Sequence, residues 1–396
     1  MKFVFSIGLL CLSVATLPAQ GVFLQDSILH DGRWRTYTLY LPQSYSSASI
    51  YPLVMALHGG GPGNGEQVIE RDHFDEVADT AQYLAVFPDG VFNDWADGRG
   101  VTDSELAGVD DVGFLSTLVD HLSQTYPIDT CAVYVAGTSN GGMMAQRLAC
   151  EATHRFAAYA SIISSMPDSV FVRCQPATSA PVLLMNGTDD TWVPYDGGML
   201  GPLTDGGSVI GTDATIQFWK SQNLCPAHSP DTLFLPDADP NDGSTALRLS
   251  WASCNEGAAV VLYRMEGAGH TNPGMEALLN PIPLLGYINR DIDAATEIWN
   301  FFRQHRKNCS PTSTPQTTQP SHPFSFPNPT PGPLWVHWEG EKLLRVQVFN
   351  LQGKLLLQQS PPAFPLDLSG LPAGTYVVRL LSPSGISAWT KVLLQP

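Results

Sequence analysis

The sequence predicts an α/β domain, in which helices cover both faces of a mostly parallel sheet, followed by a small C-terminal all-β sandwich. Short apolar runs alternate with amphipathic segments between residues 50 and 302, which is typical of a parallel α/β sheet. Proline, serine and threonine dominate residues 310–333, as in an extended linker that cannot form a core. Short strand-like segments separated by turns fill residues 334–396, which indicates a sandwich.

Residues 21–309 form the predicted α/β domain, and its elements follow in chain order. An extended stretch from residue 21 to 41 contains Asp31-Gly32, a hairpin turn signal. Short apolar runs suit strands buried on both faces of a sheet, and they predict strands at 52–57, 83–87, 132–136, 181–185 and 260–265. Helical spacing of apolar residues predicts helices at 72–81, 112–126, 143–149 and 292–302.

Composition and charge indicate a large globular core and argue against two classes of partner. The chain has 396 residues, of which 43% are hydrophobic and 14% charged, and this is enough apolar material for a sizeable core. The formal net charge is −17. An acidic surface repels phosphate backbones and anionic lipids, so we expect no nucleic-acid partner and no membrane-surface binding.

Residues 1–20 are interpreted as a signal peptide. The apolar run 3–17 follows a sparse positive start and is short for a membrane span. The small Ala19 fits cleavage after Ala19 or Gln20, and an N-terminal membrane anchor is the alternative. No other segment is long and apolar enough to span a bilayer, and the signal peptide predicts an exported chain.

The segment Gly137-Thr138-Ser139-Asn140-Gly141 matches the G-x-S-x-G pattern of a nucleophile elbow. A predicted strand precedes it and a predicted helix follows it, as the motif requires. Small residues on both sides of the serine suit the sharp, strained turn. Ser139 is therefore predicted to be the nucleophile of a serine hydrolase.

A serine hydroxyl needs an adjacent base, and in this type of fold the chain order is serine, acid, histidine. His270 follows the predicted strand 260–265 and a Gly-rich loop, so its ring can reach over the carboxyl edge of the sheet. Asp189 and Asp190 follow the predicted strand 181–185 at the same edge. Spacing leaves either aspartate as the acid that orients His270.

Acyl transfer also requires hydrogen-bond donors for the oxyanion. The backbone N–H of Asn140, the residue after the nucleophile, is one predicted donor. The second is expected from His58-Gly59-Gly60-Gly61, because glycines let the backbone approach a substrate closely. Gly60 is the first choice and Gly61 the second, and this chemistry needs neither a metal nor a cofactor.

The cysteines predict disulfides rather than a metal site. Cys11 lies in the predicted signal peptide, which leaves an even number of cysteines in an exported chain. No two of them have the C-x-x-C spacing of a zinc or redox site. The six are Cys131, Cys150, Cys174, Cys225, Cys254 and Cys309.

Together these motifs resemble carbohydrate esterase family 1, the group of feruloyl esterases, acetylxylan esterases and polyhydroxybutyrate-depolymerase-like proteins. The resemblance covers about residues 30–305 and lies in the blocks 57–61, 109–114, 137–144, 186–195 and 269–271. It implies the α/β-hydrolase fold and a serine ester hydrolase. The family motif carries its acid just before the T-x-V-P-Y-like segment, which favours Asp190. Family cysteine placement implies the pairs Cys150–Cys174 and Cys225–Cys254, with Cys131–Cys309 remaining.

The resemblance also implies the substrate class, a feruloyl or acetyl ester on plant polysaccharide. A polyhydroxyalkanoate or other polyester is the alternative substrate, and a non-catalytic surface protein that binds glycans is the competing class. The chain departs from the family at Asn272, where a tryptophan is frequent, and at Asn186, where a histidine is frequent. Asn272, Trp95 and Trp192 are expected to contact substrate, with plain packing as the alternative for the two tryptophans.

The C-terminal residues resemble the sorting domain of type IX secretion. The matching segments are 348–354, 368–376 and 391–394. This implies export by the type IX secretion machinery, followed by release or surface attachment. A small carbohydrate-binding or fibronectin-like module is the alternative.

Overall fold

In the computed structural model the chain divides into two units, residues 1–308 and residues 309–396. The predicted signal peptide and most of the predicted linker lie outside the residues that the structure describes. Those are residues 21–61, 63–201, 206–307, 309, 324–326, 330–337, 343–350, 354–381 and 387–395.

The first unit is built on a ten-stranded sheet, to which a short two-stranded sheet is added. Its strands are β1 (Val22–His30), β2 (Arg33–Leu41), β3 (Tyr51–Leu57), β4 (Leu84–Pro88), β5 (Ile128–Thr138), β6 (Ala158–Ile162), β7 (Val182–Gly187), β8 (Gly197–Met199), β9 (Ser208–Ile210), β10 (Asp231–Phe234), β11 (Thr245–Trp251) and β12 (Val260–Glu266). The order in the large sheet is β1-β2-β4-β3-β5-β6-β7-β12-β11-β10, and β8 pairs with β9.

The centre of the large sheet is parallel and its two edges are antiparallel. Strands β4, β3, β5, β6, β7 and β12 pair in parallel. Antiparallel strands continue the sheet at both ends, β2 and β1 on one side and β11 and β10 on the other. The predicted α/β-hydrolase fold with a mostly parallel sheet is confirmed.

Helices cover both faces of this sheet. They are α1 (Gly65–Asp72), α2 (Phe74–Ala81), α3 (Asp103–Leu106), α4 (Asp111–Thr125), α5 (Asn140–Glu151), α6 (Asp168–Arg173), α7 (Thr212–Gln222) and α8 (Ala294–Phe302). Alternate residues of β3 enter two separate apolar clusters. Leu53 and Met55 belong to a cluster that includes residues of α4, α5 and α7, whereas Val54 belongs to a cluster that includes residues of α2 and α8. A strand buried on both faces therefore appears in the sequence as an unbroken apolar run.

Several elements differ from the sequence predictions. The predicted helix 72–81 corresponds to α2, which begins only at Phe74 because His73 adopts a left-handed conformation with φ 53°. This residue separates α2 from α1, a helix that was not predicted. Strand β6 was not predicted, since Ala-Tyr-Ala-Ser-Ile lacks a run of large apolar residues. The hairpin between β1 and β2 turns at Asp31-Gly32, as predicted, with positive φ at both residues.

Two predicted disulfides are present in the first unit. Cys150 bonds to Cys174, and Cys225 bonds to Cys254. Cys131 is disulfide-bonded as well, and its pairing with Cys309 stays a prediction.

The second unit is all-β and has its own apolar core. Its strands are β13 (Phe324–Phe326), β14 (Pro333–His337), β15 (Arg345–Asn350), β16 (Leu355–Gln359), β17 (Leu366–Asp367), β18 (Gly374–Leu381) and β19 (Ser387–Leu394). They form the sheets β13-β14-β17 and β16-β15-β18-β19. Alternate residues such as Val346 and Val348 fill the core. Strand β13 lies inside the predicted linker 310–333 and pairs with β14, so β structure begins earlier in the chain than the predicted boundary at residue 334.

Candidate active site

Ser139 lies on a sharp turn between β5 and α5. Its backbone has φ 53° and ψ −117°, a conformation that L-residues adopt only with strain. Two neighbouring glycines allow the turn. A Cβ atom on Gly137 would lie 2.2 Å from the carbonyl oxygen of Gly141, and one on Gly141 would lie 2.4 Å from that of His58. The local geometry is therefore that of a nucleophile elbow.

The structure brings Ser139, His270 and Asp190 into one chain of hydrogen bonds. His270 Nε2 lies 3.0 Å from Ser139 Oγ, and His270 Nδ1 lies 2.7 Å from Asp190 Oδ2. The second carboxylate oxygen, Oδ1, accepts hydrogen bonds from the backbone N–H groups of Trp192 and Val193, both at 2.8 Å. Because Asp190 is buried and both its oxygens are engaged, its carboxylate has one fixed orientation towards the imidazole.

The neighbouring aspartate has a different environment. Asp189 is exposed, and its Oδ1 accepts a hydrogen bond from the hydroxyl of Thr188 at 3.1 Å. Its backbone N–H donates to the carbonyl oxygen of Ala268. Of the two aspartates that spacing leaves open, the structure places only Asp190 against His270.

The glycine-rich segment after β3 lies next to the elbow. A Cβ atom on Gly60 would sit 3.5 Å from Asn140 Cβ, and both residues line the same cavity as Ser139. Gly61, the second choice for a donor, also lines this cavity and has φ 85°. The predicted oxyanion residues Asn140 and Gly60 are thus brought together beside Ser139.

His58 is a neutral imidazole whose hydrogen bonds hold the glycine-rich segment in place. The N–H of Gly90 donates to His58 Nε2 at 2.8 Å, so the ring proton is on Nδ1, which donates to the carbonyl oxygen of Gly59 at 2.7 Å. Burial lowers the pKa of His58 and favours the same uncharged state.

Trp95 does not line the cavity, contrary to the expectation from the sequence. It is 0% exposed, so no substrate can reach it. Its indole N–H donates to the carbonyl oxygen of His58 at 2.9 Å, and its backbone N–H donates to Asn140 Oδ1 at 2.8 Å. The Asn140 amide also donates to Asp97, a buried carboxylate that is paired with Arg99. Trp95 therefore holds together the two segments of the expected oxyanion site, because it donates hydrogen bonds both to His58 and to Asn140.

Trp192 and Asn272, in contrast, both line the cavity, which has a volume of about 520 Å³. The ring of Trp192 is stacked at 6.3 Å from the ring of His270. The amide of Asn272 points to Asp72 and Thr138 rather than standing free. The remaining apolar wall is formed by Val68, Ile163, Val193, Leu200, Met275 and Leu285.

Sequence reasoning missed three charged residues of the cavity, namely Arg71, Asp72 and Arg99. Arg71 and Asp72 belong to α1, whose eight residues carry too short a pattern to be assigned from sequence. Within the described residues, no three His, Cys, Asp or Glu side chains gather as a group that could hold a metal ion.

The fold and the serine elbow place the chain in the α/β-hydrolase class. Residues 35–194 match the family model described as esterase PHB depolymerase. A putative esterase, NocK, from Nocardia uniformis subsp. tsuyamanensis is 30% identical over 278 residues, which cover 68% of this chain and 79% of that protein. The chain therefore belongs to the PHB depolymerase-type esterase family and is a carboxylic ester hydrolase.

Two further relatives carry more specific names. The bifunctional acetylxylan esterase/xylanase XynS20E of Neocallimastix patriciarum is 24% identical over 248 residues, covering 63% of this chain and 32% of that protein. The probable feruloyl esterase C of Aspergillus niger is 28% identical over 177 residues, covering 43% of this chain and 60% of that protein. The matched part spans less than two thirds of either relative.

The second unit carries the export signal. Residues 325–395 match the family model described as a secretion system C-terminal sorting domain. The protein is therefore located in the extracellular space or at the cell surface. Among the described helices, none combines the length and apolar character needed to cross a bilayer.

Proposed function

We propose that the protein is a serine esterase that hydrolyses its substrate through an acyl-enzyme. The observation that carries this proposal is the hydrogen-bonded series Ser139–His270–Asp190, with distances of 3.0 and 2.7 Å. A serine hydroxyl becomes nucleophilic when a positioned base accepts its proton, and His270 Nε2 lies at the distance that this transfer requires.

The proposed reaction has two halves. His270 takes the proton of Ser139, whose Oγ attacks the ester carbonyl carbon, and the backbone N–H groups of Asn140 and Gly60 stabilise the oxyanion. The imidazolium, stabilised by the Asp190 carboxylate, then donates its proton to the leaving alcohol. In the second half His270 takes a proton from a water molecule, whose oxygen attacks the acyl carbon. The bond between this carbon and Ser139 Oγ then breaks, His270 returns the proton to Oγ, and the carboxylic acid leaves.

The proposed substrate is a feruloyl or related hydroxycinnamoyl ester on plant polysaccharide. A cavity of about 520 Å³ is much larger than an acetyl group requires. Its wall combines Trp192 with aliphatic side chains, and such a wall suits an aromatic acyl group. The similarity to a probable feruloyl esterase and to an acetylxylan esterase/xylanase supports a polysaccharide ester. We infer that the sorting domain delivers the enzyme through the type IX secretion machinery to this extracellular substrate.

The test is hydrolysis by the purified mature chain of methyl ferulate, acetylated xylan, p-nitrophenyl acetate and polyhydroxybutyrate. We expect ferulate release that is lost in Ser139→Ala and kept in Ser123→Ala, a serine on α4 away from the cavity. Release of acetate from xylan without ferulate would move the substrate to acetyl esters, and release from polyhydroxybutyrate alone would move it to polyesters. A chain that hydrolyses nothing and whose Ser139 does not react with a fluorophosphonate would contradict the proposal and favour the competing hypothesis, a non-catalytic glycan-binding protein.

A further inference from the structure

Asp72 is a buried carboxylate in the wall of the active-site cavity, only 6% exposed, at the last residue of α1. Its Oδ1 accepts a hydrogen bond from Asn272 Nδ2, and its Oδ2 accepts one from the hydroxyl of Thr138 at 3.3 Å. Asn272 Nδ2 also donates to Thr138 Oγ1 at 3.0 Å. Three side chains from distant parts of the sequence therefore close a ring of hydrogen bonds, which we call the Asp72 ring.

The Asp72 ring joins the two segments that carry the proposed nucleophile and base. Thr138 directly precedes Ser139, and Asn272 follows His270 by two residues. Other bonds anchor the His270 loop elsewhere. The His270 N–H donates to the carbonyl oxygen of Leu285 at 2.6 Å, and the Thr271 hydroxyl donates to that of Tyr287 at 2.7 Å. Those bonds fix the loop to residues 285–287, whereas the ring fixes it to the end of β5.

A charged carboxylate at this buried position reduces the stability of the folded protein. Its two hydrogen-bond donors are neutral, and within the described residues Asp72 forms no ion pair. Burial raises the pKa of Asp72 to about 6, against the lowering effect of these bonds and of the neighbouring Arg71 and His73. A buried charge without a paired cation reduces stability, so its retention beside the reacting groups needs a reason other than stability.

We propose that Asp72 is a positioning residue for the esterase reaction. Through Asn272 and Thr138 it holds the loop of His270 at the distance from Ser139 that proton transfer requires. The proposal rests on the serine mechanism proposed above. It assigns Asn272 a role in holding the catalytic loop rather than in direct contact with substrate.

The first experiment compares Asp72→Ala with Asp72→Asn in the full mature chain. Asp72→Ala removes the ring, and we expect kcat to fall about tenfold or more with KM changed by less than about threefold, since misplacement acts on the transition state. Asp72→Asn can still accept from Asn272 with its oxygen and donate to Thr138 with its amide. We therefore expect it to recover most of kcat, because the ring acts through geometry.

Two further variants separate positioning from a general loss of stability. Asn272→Ala combined with Asp72→Ala should have the kcat of the slower single variant, because both remove the same ring. Asn223→Ala is the matched control. Its buried side chain makes two hydrogen bonds to Ala180, away from the cavity, and its loss should lower Tm without changing kcat.

The results that overturn the proposal are distinct from those that overturn the function. Asp72 does not position His270 if Asp72→Ala has a lower Tm but an unchanged kcat, as expected for Asn223→Ala. The same conclusion follows if the kcat losses of the two single variants multiply in the double variant. Where Asp72→Ala fails to fold, Thr138→Val tests the same ring, and an unchanged kcat there rejects it. A wild-type chain that hydrolyses no ester and does not react with a fluorophosphonate rejects the serine mechanism itself.

Discussion

Asp190 presents one carboxylate oxygen to His270 Nδ1 at 2.7 Å and the other to two backbone N–H groups. The two oxygens are therefore not equivalent. Any side chain that replaces the carboxylate must accept hydrogen bonds at both positions to keep the imidazole proton on Nδ1.

An asparagine at position 190 cannot meet this requirement. Its oxygen would accept from the N–H groups of Trp192 and Val193, which turns its NH₂ group towards His270 and forces the ring proton onto Nε2. We expect Asp190→Asn to lower kcat on p-nitrophenyl acetate by about 10³-fold or more. Asp189→Asn, at the exposed neighbour, should stay within about twofold of the wild type, as expected for a surface substitution. Equal losses in both variants would contradict the assignment of the acid to Asp190.

The position of Trp192 predicts that its removal lowers kcat/KM more for aromatic esters than for acetyl esters. Its ring lies in the cavity wall, 6.3 Å from the ring of His270, so an aromatic acyl group can pack against it. We expect Trp192→Ala to lower kcat/KM on methyl ferulate about fivefold more than on p-nitrophenyl acetate, since an aromatic pair contributes about 1 kcal/mol. Trp34→Ala, an exposed tryptophan of β2, serves as control and should leave this ratio unchanged. A ratio that stays constant in Trp192→Ala would count against a hydroxycinnamoyl substrate.

The disulfide Cys225–Cys254 predicts an effect on stability without an effect on turnover. It closes a loop with a sequence separation of 29 and does not border the active-site cavity. Replacing both cysteines by alanine should lower the free energy of unfolding by about 3 kcal/mol, measured by urea titration. The kcat at 25 °C should remain that of the wild type. A coincident loss of kcat in folded protein would show that the bond supports the site after all.

His305 predicts a pH dependence of stability. Burial lowers its pKa from 6.5 to about 4. Between these values the unfolded chain binds a proton that the folded chain does not, so stability falls as the pH drops through this window. From about pH 7 to pH 4, we expect the free energy of unfolding of His305→Phe to fall less than that of the wild type, by on the order of 3 kcal/mol.

Urea titrations at several pH values measure this difference. His154→Gln, at an exposed histidine of the same unit, is the matched control for the loss of a histidine. If His305→Phe and the wild type lose stability in parallel, the histidine is not buried in its neutral form.

Sequence alone predicts best those features whose cause lies within a few residues. The elbow needs small residues around Ser139, and they stand within three positions of the serine, at Gly137, Gly141 and Gly142. The central strand β3 is buried on both faces, so its whole length is apolar and easily recognised. Spacing cannot separate Asp189 from Asp190, because both occupy the same turn and only the fold determines which one faces His270.

The features that sequence does not predict depend on contacts between distant segments. Trp95 is far from Asn140 in the chain, so its burial behind the oxyanion segment leaves no local signal. Asp72 ends a helix of eight residues and meets Asn272 two hundred residues later. Strand β6 is buried along its whole length although three of its five residues are small, so its burial leaves no run of large apolar residues in the sequence.

The backbone at Ser139 has a consequence for how such a chain would change over generations. Glycine adopts φ 53° and ψ −117° with little strain, whereas the same backbone conformation in serine destabilises the fold by about 1 to 3 kcal/mol. Ser139→Gly should therefore raise the melting temperature while abolishing turnover. In a lineage released from the need to hydrolyse esters, mutational drift towards a more stable protein would remove this serine early. Under the proposed mechanism, the serine in this strained turn trades some stability of the fold for catalysis.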